Sequence, residues 1–145
     1  MKKLLRFIPA FIIMAVIFFF SAQDADSSTQ LSDSVVSITA GEENVGEHRL
    51  TVIVRKCAHL LEYAALGAAL YFGFRGITSN RAFLSAILAL LSGTAYAVTD
   101  EIHQYFVPGR ACMAADVIID GNGVALGVVI MVNIIILWQK YGKKQ

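Results

Sequence analysis

The chain of 145 residues has the length of one domain, and 57% of its residues are hydrophobic, with a mean hydropathy of +0.63. Charged residues make up only 16%, below the roughly 25% typical of soluble domains, so most of the chain is expected in a lipid bilayer. The formal net charge is +1 and no basic patch is interleaved with aromatic residues, which excludes nucleic acid as an expected partner.

Four long apolar stretches divide the sequence, and each reaches the roughly 17–25 residues that a spanning helix needs. Backbone groups must pair internally in lipid, so these stretches are expected to be helical. We predict an all-α integral membrane protein, a single domain over residues 1–145 that forms a four-transmembrane-helix bundle. An outer loop joins its first two helices. The helices are predicted at about residues 4–22, 55–75, 82–104 and 116–138.

The first stretch has a basic start and contains Pro9 in its inner third, where the missing backbone N–H predicts a kink. We interpret this stretch as an uncleaved anchor, with a signal peptide that ends near Ser21 and Ala22 as the alternative. In the polar loop that follows, apolar residues alternate with polar ones between Leu31 and Ile38. This pattern favours a short amphipathic helix on the membrane surface.

The later segments carry packing signals. Residues 76–80 leave room only for a turn, so the second and third helices are expected to be antiparallel neighbours. Gly123 and Gly127 have the small-xxx-small spacing that lets another helix approach the fourth helix closely. Cys57 and Cys112 fall near the same predicted boundary, where either a disulfide or two small buried thiols would fit.

Basic residues on one side of the predicted bundle set its orientation. Eight of them, without any acidic residue, lie before the first helix, beside the turn that joins the second and third helices, and after the fourth helix. The positive-inside rule therefore predicts a multi-pass protein of the cell membrane with both termini in the cytoplasm. The eight residues are Lys2, Lys3, Arg6, Arg75, Arg81, Lys140, Lys143 and Lys144.

Ionisable residues interrupt the apolar sequence in two clusters, although a charge costs roughly 2.5–3.5 kcal/mol at the centre of a membrane helix. In the second helix, His59 shares a stripe with Arg55 and Glu62, at spacings i, i+4 and i+7. A second set, at i, i+3 and i+7, joins His59 to Lys56 and Tyr63. Since this helix enters the bilayer from the outer surface, Glu62 should lie about 10 Å deeper than Arg55.

The other cluster closes the third helix and opens the fourth. The antiparallel packing of helices two and three should bring both clusters together at the outer leaflet, as one concave polar site. We expect His59 and Glu62 to lie within side-chain reach of three residues of the second cluster, Glu101, His103 and Asp116. Its members are Asp100, Glu101, His103, Gln104, Arg110, Asp116 and Asp120.

Three interpretations of this site stay open. The first is an internal salt-bridge network that fixes helix register. The second is a site for an anionic headgroup or a lipid-linked phosphate, with Arg contacts to phosphate and His–carboxylate pairs that move protons. In the third, His59-x-x-Glu62 and Glu101-x-His103 supply two nitrogens and two oxygens, which suits zinc. Neither spacing matches a standard metallohydrolase motif, and we predict no metal and no other cofactor.

The same residues resemble the VanZ-like family of small membrane proteins, which is named for a teicoplanin-resistance protein. Its pattern is F-x-x-S-x-Q, then R-K-x-x-H-x-x-E-Y-x-x-L-G, then D-E-x-H-Q-x-F-x-P-G-R, and last D-V-x-x-N/D-x-x-G. The resemblance implies a cell-envelope role similar to that of low-level glycopeptide-resistance factors, and leaves enzyme and binder both open. The chain matches the pattern at Phe18–Gln23, Arg55–Gly67, Asp100–Arg110 and Asp116–Gly123.

We therefore predict an envelope protein that binds, and in one version modifies, an anionic lipid or lipid-linked cell-wall precursor at the outer leaflet. The alternative is a non-catalytic lipid binder or transporter whose polar cluster is a structural network. The candidates for catalysis are His59, Glu62, Glu101, His103 and Asp116. The candidates for substrate binding are Arg55, Lys56, Tyr63, Asp100, Gln104, Arg110 and Asp120.

Overall fold

The computed structural model describes residues 3–23, 47–108, 110 and 113–142, and these residues form helices and no strand. A short 3₁₀ turn leads into the first helix. Four helical segments are each long and apolar enough to cross a membrane, which confirms the predicted all-α membrane bundle. The elements are the 3₁₀ turn Leu4–Phe7, α1 (Ile8–Ser21), α2 (Glu47–Ile77), α3 (Ala82–Tyr105) and α4 (Ala114–Tyr141).

The bundle exposes many of its large apolar side chains and buries some of its polar side chains. Large hydrophobic residues such as Phe83, Leu61 and Trp138 are exposed on the outer surface. Asp100 and Glu101, in contrast, are almost completely buried. An apolar surface this extensive is unfavourable in water, whereas lipid solvates it. The chain is a multi-pass membrane protein.

The N-terminal segment differs from the prediction of a kink at Pro9. Pro9 lies in the first turn of α1, directly after the 3₁₀ turn. The N–H groups of a first turn have no intrahelical partner, so proline is tolerated there. Pro9 therefore marks the change from 3₁₀ to α geometry and does not bend α1. The surface helix predicted at Leu31–Ile38 lies outside the described residues.

The α2–α3 connection is a tight turn, as predicted from its length. Ser79 and Asn80 take positive φ values of 52° and 66°, in the left-handed region. Asparagine tolerates this region better than most residues. The Asn80 N–H donates to the Arg75 carbonyl at 3.2 Å, and the Arg75 guanidinium donates to the Asn80 carbonyl. These bonds end α2 and reverse the chain into α3.

The largest helix–helix interface joins α2 to α4, which run parallel. A Cβ atom at Gly123 would lie 2.6 Å from the Leu60 carbonyl oxygen, and one at Gly127 would overlap the Ala64 carbonyl oxygen. The two backbones are therefore in direct contact, and the close approach predicted from the Gly123–Gly127 spacing is confirmed. On the other side of the bundle, α1 packs against α2 and α3.

Candidate functional site

A cavity of about 200 Å³ opens where α1 and α3 end and α2 and α4 begin. We call it the polar cavity. Three helices and the loop before α4 contribute its walls, which carry three basic and three acidic side chains. Its lining residues are Arg55, Lys56 and His59 from α2, Glu101 and Gln104 from α3, Arg110 and Met113 from the loop, and Asp116, Ile119 and Asp120 from α4.

The wall formed by the α3–α4 connection is held by backbone bonds and by Glu101. After the last turn of α3, the Val107 N–H donates to the Gln104 carbonyl at 3.0 Å, and the Arg110 N–H donates to the Val107 carbonyl at 3.2 Å. The Met113 N–H, at the start of α4, donates to Glu101 Oε1 at 2.6 Å. Glu101 thus ties the beginning of α4 to the end of α3.

One ion pair bridges α2 and α4 at the mouth of the polar cavity. Lys56 Nζ lies 2.5 Å from Asp116 Oδ1, and both side chains are about one-third exposed, at 37% and 33%. Of the three basic side chains of the cavity, Lys56 is therefore already paired with a carboxylate of the protein. An exposed pair of this kind adds little to stability, roughly 0–1 kcal/mol.

The two arginines of the polar cavity have different surroundings. Arg110 donates from Nη2 to the Phe20 carbonyl at 3.3 Å, at the end of α1, where carbonyl groups lack intrahelical partners. Arg55 is half-buried, and makes no hydrogen bond or ion pair among the described residues. Among the described residues, Lys56 and Arg110 each have an acceptor from the protein, whereas the Arg55 guanidinium has none.

The floor of the polar cavity is acidic. His59 Nδ1 lies 3.7 Å from Asp120 Oδ1, and the Asp120 side chain is only 2% exposed. Asp100 is buried beside them, and its Oδ2 accepts bonds from Ser21 Oγ at 2.8 Å and Gln104 Nε2 at 3.0 Å. The floor is thus built by α1, α2, α3 and α4 together.

A family model described as VanZ/LLP1 matches residues 7–137, which include every residue that lines the polar cavity. The chain belongs to the VanZ/LLP1 family. Comparisons with curated proteins and with solved structures give no match. Family membership agrees with the resemblance that the four motifs predicted, and in this VanZ/LLP1 chain the last three of those motifs meet around the polar cavity.

Four of the predicted site residues do not line the cavity of this VanZ/LLP1 protein. Glu62 is half-buried on α2, and its neighbour Tyr63 is completely buried. His103 stacks on Phe18 of α1, with ring centroids 4.5 Å apart. Asp100 lies below the lining. The structure therefore brings His59 together with Glu101 and Asp116, but leaves Glu62 and His103 outside; the roles predicted for all of these residues remain predictions.

The zinc ligands considered from the sequence are not brought together in the VanZ/LLP1 chain. His103 faces Phe18, and Glu101 accepts the Met113 N–H. A different group of potential ligands, His59, Asp100 and Asp120, offers one ligand atom each within 4.8 Å of one another. Asp100 and Asp120 had been predicted to bind substrate.

Sequence reasoning missed Ser21 as part of the site. Ser21 is 1% exposed and its hydroxyl holds Asp100. The available signal was the F-x-x-S-x-Q motif of the VanZ-like pattern, in which Ser21 is the serine. Nothing in the sequence showed that α1 would end beside Asp100, since a helix of uniform apolarity does not reveal which of its sides packs inward.

The salt-bridge network interpretation agrees less well with this geometry. A structural network is expected to satisfy its buried polar atoms. In the described part of the chain, Asp100 Oδ1, Asp120 Oδ1 and the Tyr63 hydroxyl are buried without a hydrogen-bond partner. Unsatisfied carboxylate oxygens are costly in a purely structural network.

The structure describes only one of the two cysteines. Cys57 is exposed on α2 and has no disulfide partner among the described residues, so the expectation of a buried thiol is wrong at this position. Cys112, and with it the question of a Cys57–Cys112 disulfide, lies outside the described residues.

Proposed function

We propose that this VanZ/LLP1 protein binds the phosphate-bearing headgroup of an anionic lipid or a lipid-linked cell-wall precursor in the polar cavity. The observation that carries the proposal is Arg55, a half-buried guanidinium in the cavity wall without a hydrogen bond or ion pair among the described residues. Burial of an uncompensated charge is unfavourable. A phosphate supplies two acceptor oxygens in the geometry that a guanidinium binds best.

The size of the cavity supports a headgroup as the ligand. Its volume of about 200 Å³ is below the roughly 300–1,000 Å³ of pockets that enclose drug-sized molecules. A phosphate with a short polar substituent fits such a space, while the acyl or prenyl chains stay in the surrounding lipid. The apolar exterior of the bundle provides a surface along which those chains can lie.

The side of the membrane follows from the charge distribution. The cavity lies at the end of the bundle opposite to the turn with Arg75 and Arg81. The positive-inside rule supports a cytoplasmic position for that basic end, and therefore a position for the cavity at the outer leaflet of the cell membrane. A site at the outer leaflet supports a role in the cell envelope. The resemblance to VanZ-like proteins connects such a role with tolerance of teicoplanin.

Modification of the bound headgroup is the stronger version of the proposal. His59 is the candidate for proton transfer, because its side chain is 22% exposed, lines the cavity and lies beside Asp120. Glu101 is the second candidate, although its Oε1 already accepts the Met113 N–H. A cavity that only binds or moves the lipid is the alternative.

Binding is tested with purified protein in phosphatidylcholine nanodiscs that contain phosphatidic acid, phosphatidylglycerol or a polyprenyl phosphate. Arg55→Ala should lower the affinity for the phosphate-bearing lipid at least about tenfold, as expected for loss of a charge-assisted bond. Arg81→Ala, which removes the same charge at the opposite end, is the matched control and should bind like the wild type. Equal affinity of Arg55→Ala and the wild type for all three lipids would overturn the proposal.

Catalysis is tested separately by mass spectrometry of total lipids and lipid-linked precursors from cells with the wild type, with His59→Gln, and without the protein. An enzyme should change the abundance of a lipid in the wild type only. A binder or transporter should leave the covalent structures of all lipids the same, and this result would exclude modification while preserving the binding proposal.

A further inference from the structure

The floor of the polar cavity has the geometry of a metal site. His59 from α2, Asp100 from α3 and Asp120 from α4 each offer one ligand atom, and these atoms lie within 4.8 Å of one another. His59 Nδ1 and Asp120 Oδ1 are 3.7 Å apart. That separation suits two ligands of one ion, at metal–ligand bond lengths of about 2.0–2.2 Å.

The two carboxylates of this group are buried and incompletely paired. Asp100 is 3% exposed and Asp120 is 1% exposed. Oδ1 of each is buried without a hydrogen-bond partner among the described residues. Two anionic groups in one small buried space repel each other and are poorly solvated, so a positive charge between them would relieve the repulsion.

The hydrogen bonds of Asp100 leave one of its oxygens available for such a charge. Ser21 Oγ and Gln104 Nε2 both donate to Oδ2, at 2.8 Å and 3.0 Å, and Gln104 Nε2 also lies 3.3 Å from Ser21 Oγ. Oδ2 is thereby fixed, and Oδ1 remains without a donor. Metal-binding carboxylates are held by neighbouring donors in the same way, which orients the ligating oxygen.

We propose that His59, Asp100 and Asp120 bind one divalent transition-metal ion at the floor of the polar cavity. One imidazole nitrogen and two carboxylate oxygens favour Zn²⁺ or Mn²⁺ over Ca²⁺ or Mg²⁺, which prefer oxygen ligands alone. Three protein ligands leave coordination positions open to the cavity, as in catalytic metal sites. The proposal replaces the prediction of no metal, and it does not depend on lipid binding by Arg55. With a metal bound, His59 would be a ligand and would not be the group that transfers a proton.

The test uses full-length protein in detergent, stripped with a chelator and then titrated with Zn²⁺ and with Mn²⁺ by calorimetry, with elemental analysis for stoichiometry. The wild type should bind one ion per chain. Asp100→Asn and Asp120→Asn keep the side-chain shape and should each lower the affinity at least about tenfold, and Ser21→Ala should lower it about 10–100-fold through the orientation of Asp100. Circular dichroism and gel filtration establish that each variant is folded.

Asp116→Asn is the matched control, because Asp116 is a carboxylate of the same cavity that pairs with Lys56 and lies outside the group of three. It should still bind one ion per chain, with nearly wild-type affinity. The proposal is wrong if the wild type binds neither ion, if folded Asp100→Asn and Asp120→Asn both bind like the wild type, or if Asp116→Asn alone abolishes binding.

Discussion

The Ser21 hydroxyl donates to Asp100 Oδ2 at 2.8 Å, and so joins two residues that are 79 positions apart in the sequence. Both residues are buried. The bond attaches the end of α1 to the floor of the polar cavity, where α1 contributes no lining residue. The first helix is therefore part of the site architecture.

The α2–α4 contact predicts a strong effect at Gly127. A methyl group there would overlap the Ala64 carbonyl oxygen, so Gly127→Ala should lower the free energy of unfolding by about 1–3 kcal/mol. Gly121→Ala is the control, since its Cβ would come no closer than 3.8 Å to Thr94. Gly121→Ala should be neutral or stabilising, by about 0.5–1 kcal/mol. Unfolding in detergent micelles measures both; equal destabilisation would contradict the close helix approach.

Because Lys56 pairs with Asp116, we expect the affinity for an anionic lipid to rise when the charge of Asp116 is removed. Asp116→Asn should release Lys56 for a phosphate and remove a repulsive charge from the mouth of the polar cavity. The affinity for phosphatidic acid should rise a few-fold, since an exposed pair is worth roughly 0–1 kcal/mol. Lys56→Ala should lower the affinity. Nanodisc binding at low and high salt measures both variants, and a loss of affinity in Asp116→Asn would assign the carboxylate itself to ligand binding.

Two substitutions of Glu101 should distinguish its contribution to stability from a contribution to activity. Glu101→Ala leaves the Met113 N–H without its acceptor, which should cost about 1–3 kcal/mol of stability. Glu101→Gln retains an acceptor oxygen in the same place and should remain close to wild-type stability. If Glu101 also transfers protons, Glu101→Gln should be stable and inactive in the cellular lipid assay. A stable Glu101→Gln variant with full activity would restrict Glu101 to its structural role.

Tyr96 should contribute to the packing of α1 on α3. Its hydroxyl donates to the Met14 carbonyl at 2.6 Å, and Tyr96→Phe removes this bond at a cost of about 0.5–1.5 kcal/mol. Tyr105, on the same helix, is 66% exposed, so Tyr105→Phe is a suitable control and should have no measurable effect. Thermal unfolding of both variants in one detergent makes the comparison; equal melting temperatures would show that the bond does not stabilise the bundle.

The orientation is tested by cysteine labelling of intact cells, in a background that carries Cys57→Ser and Cys112→Ser. The charge distribution predicts that a membrane-impermeant reagent labels Ser28→Cys, in the predicted outer loop, and does not label Ser79→Cys, in the α2–α3 turn. Permeabilised cells should allow both to be labelled. The opposite pattern in intact cells would invert the proposed topology and place the polar cavity at the cytoplasmic leaflet.

The number of helices and the position of the site could be predicted from the sequence because both depend on composition along the chain. Long apolar stretches mark the helices. Charges that survive in such stretches mark the places where helices face one another. These two rules placed Arg55, His59, Glu101 and Asp116 at one end of the bundle, where the structure has them.

The side of each helix that faces the site could not be predicted in the same way. The spacing i, i+3 and i+4 puts Asp100, His103 and Gln104 on one face of α3, yet His103 turns toward Phe18 on α1. Which of these side chains enters the site depends on where α1 packs. Because α1 is apolar on all sides, its sequence does not indicate which side packs against α3. The sequence also showed that α4 would approach another helix closely at Gly123, but the partner, α2, follows from the three-dimensional arrangement alone.

The parallel contact of α2 and α4 limits how the polar cavity can open. Lys56 meets Asp116 and His59 faces Asp120 in the same register in which Ala64 touches Gly127. If α2 and α4 slid along each other, the Ala64 carbonyl of α2 would have to move past the backbone of α4 at Gly127, where no side chain separates the two helices. We therefore treat α2 and α4 as a fixed frame. Under the proposed function, a lipid headgroup would then be admitted by movement of α3 and the end of α1 against this frame.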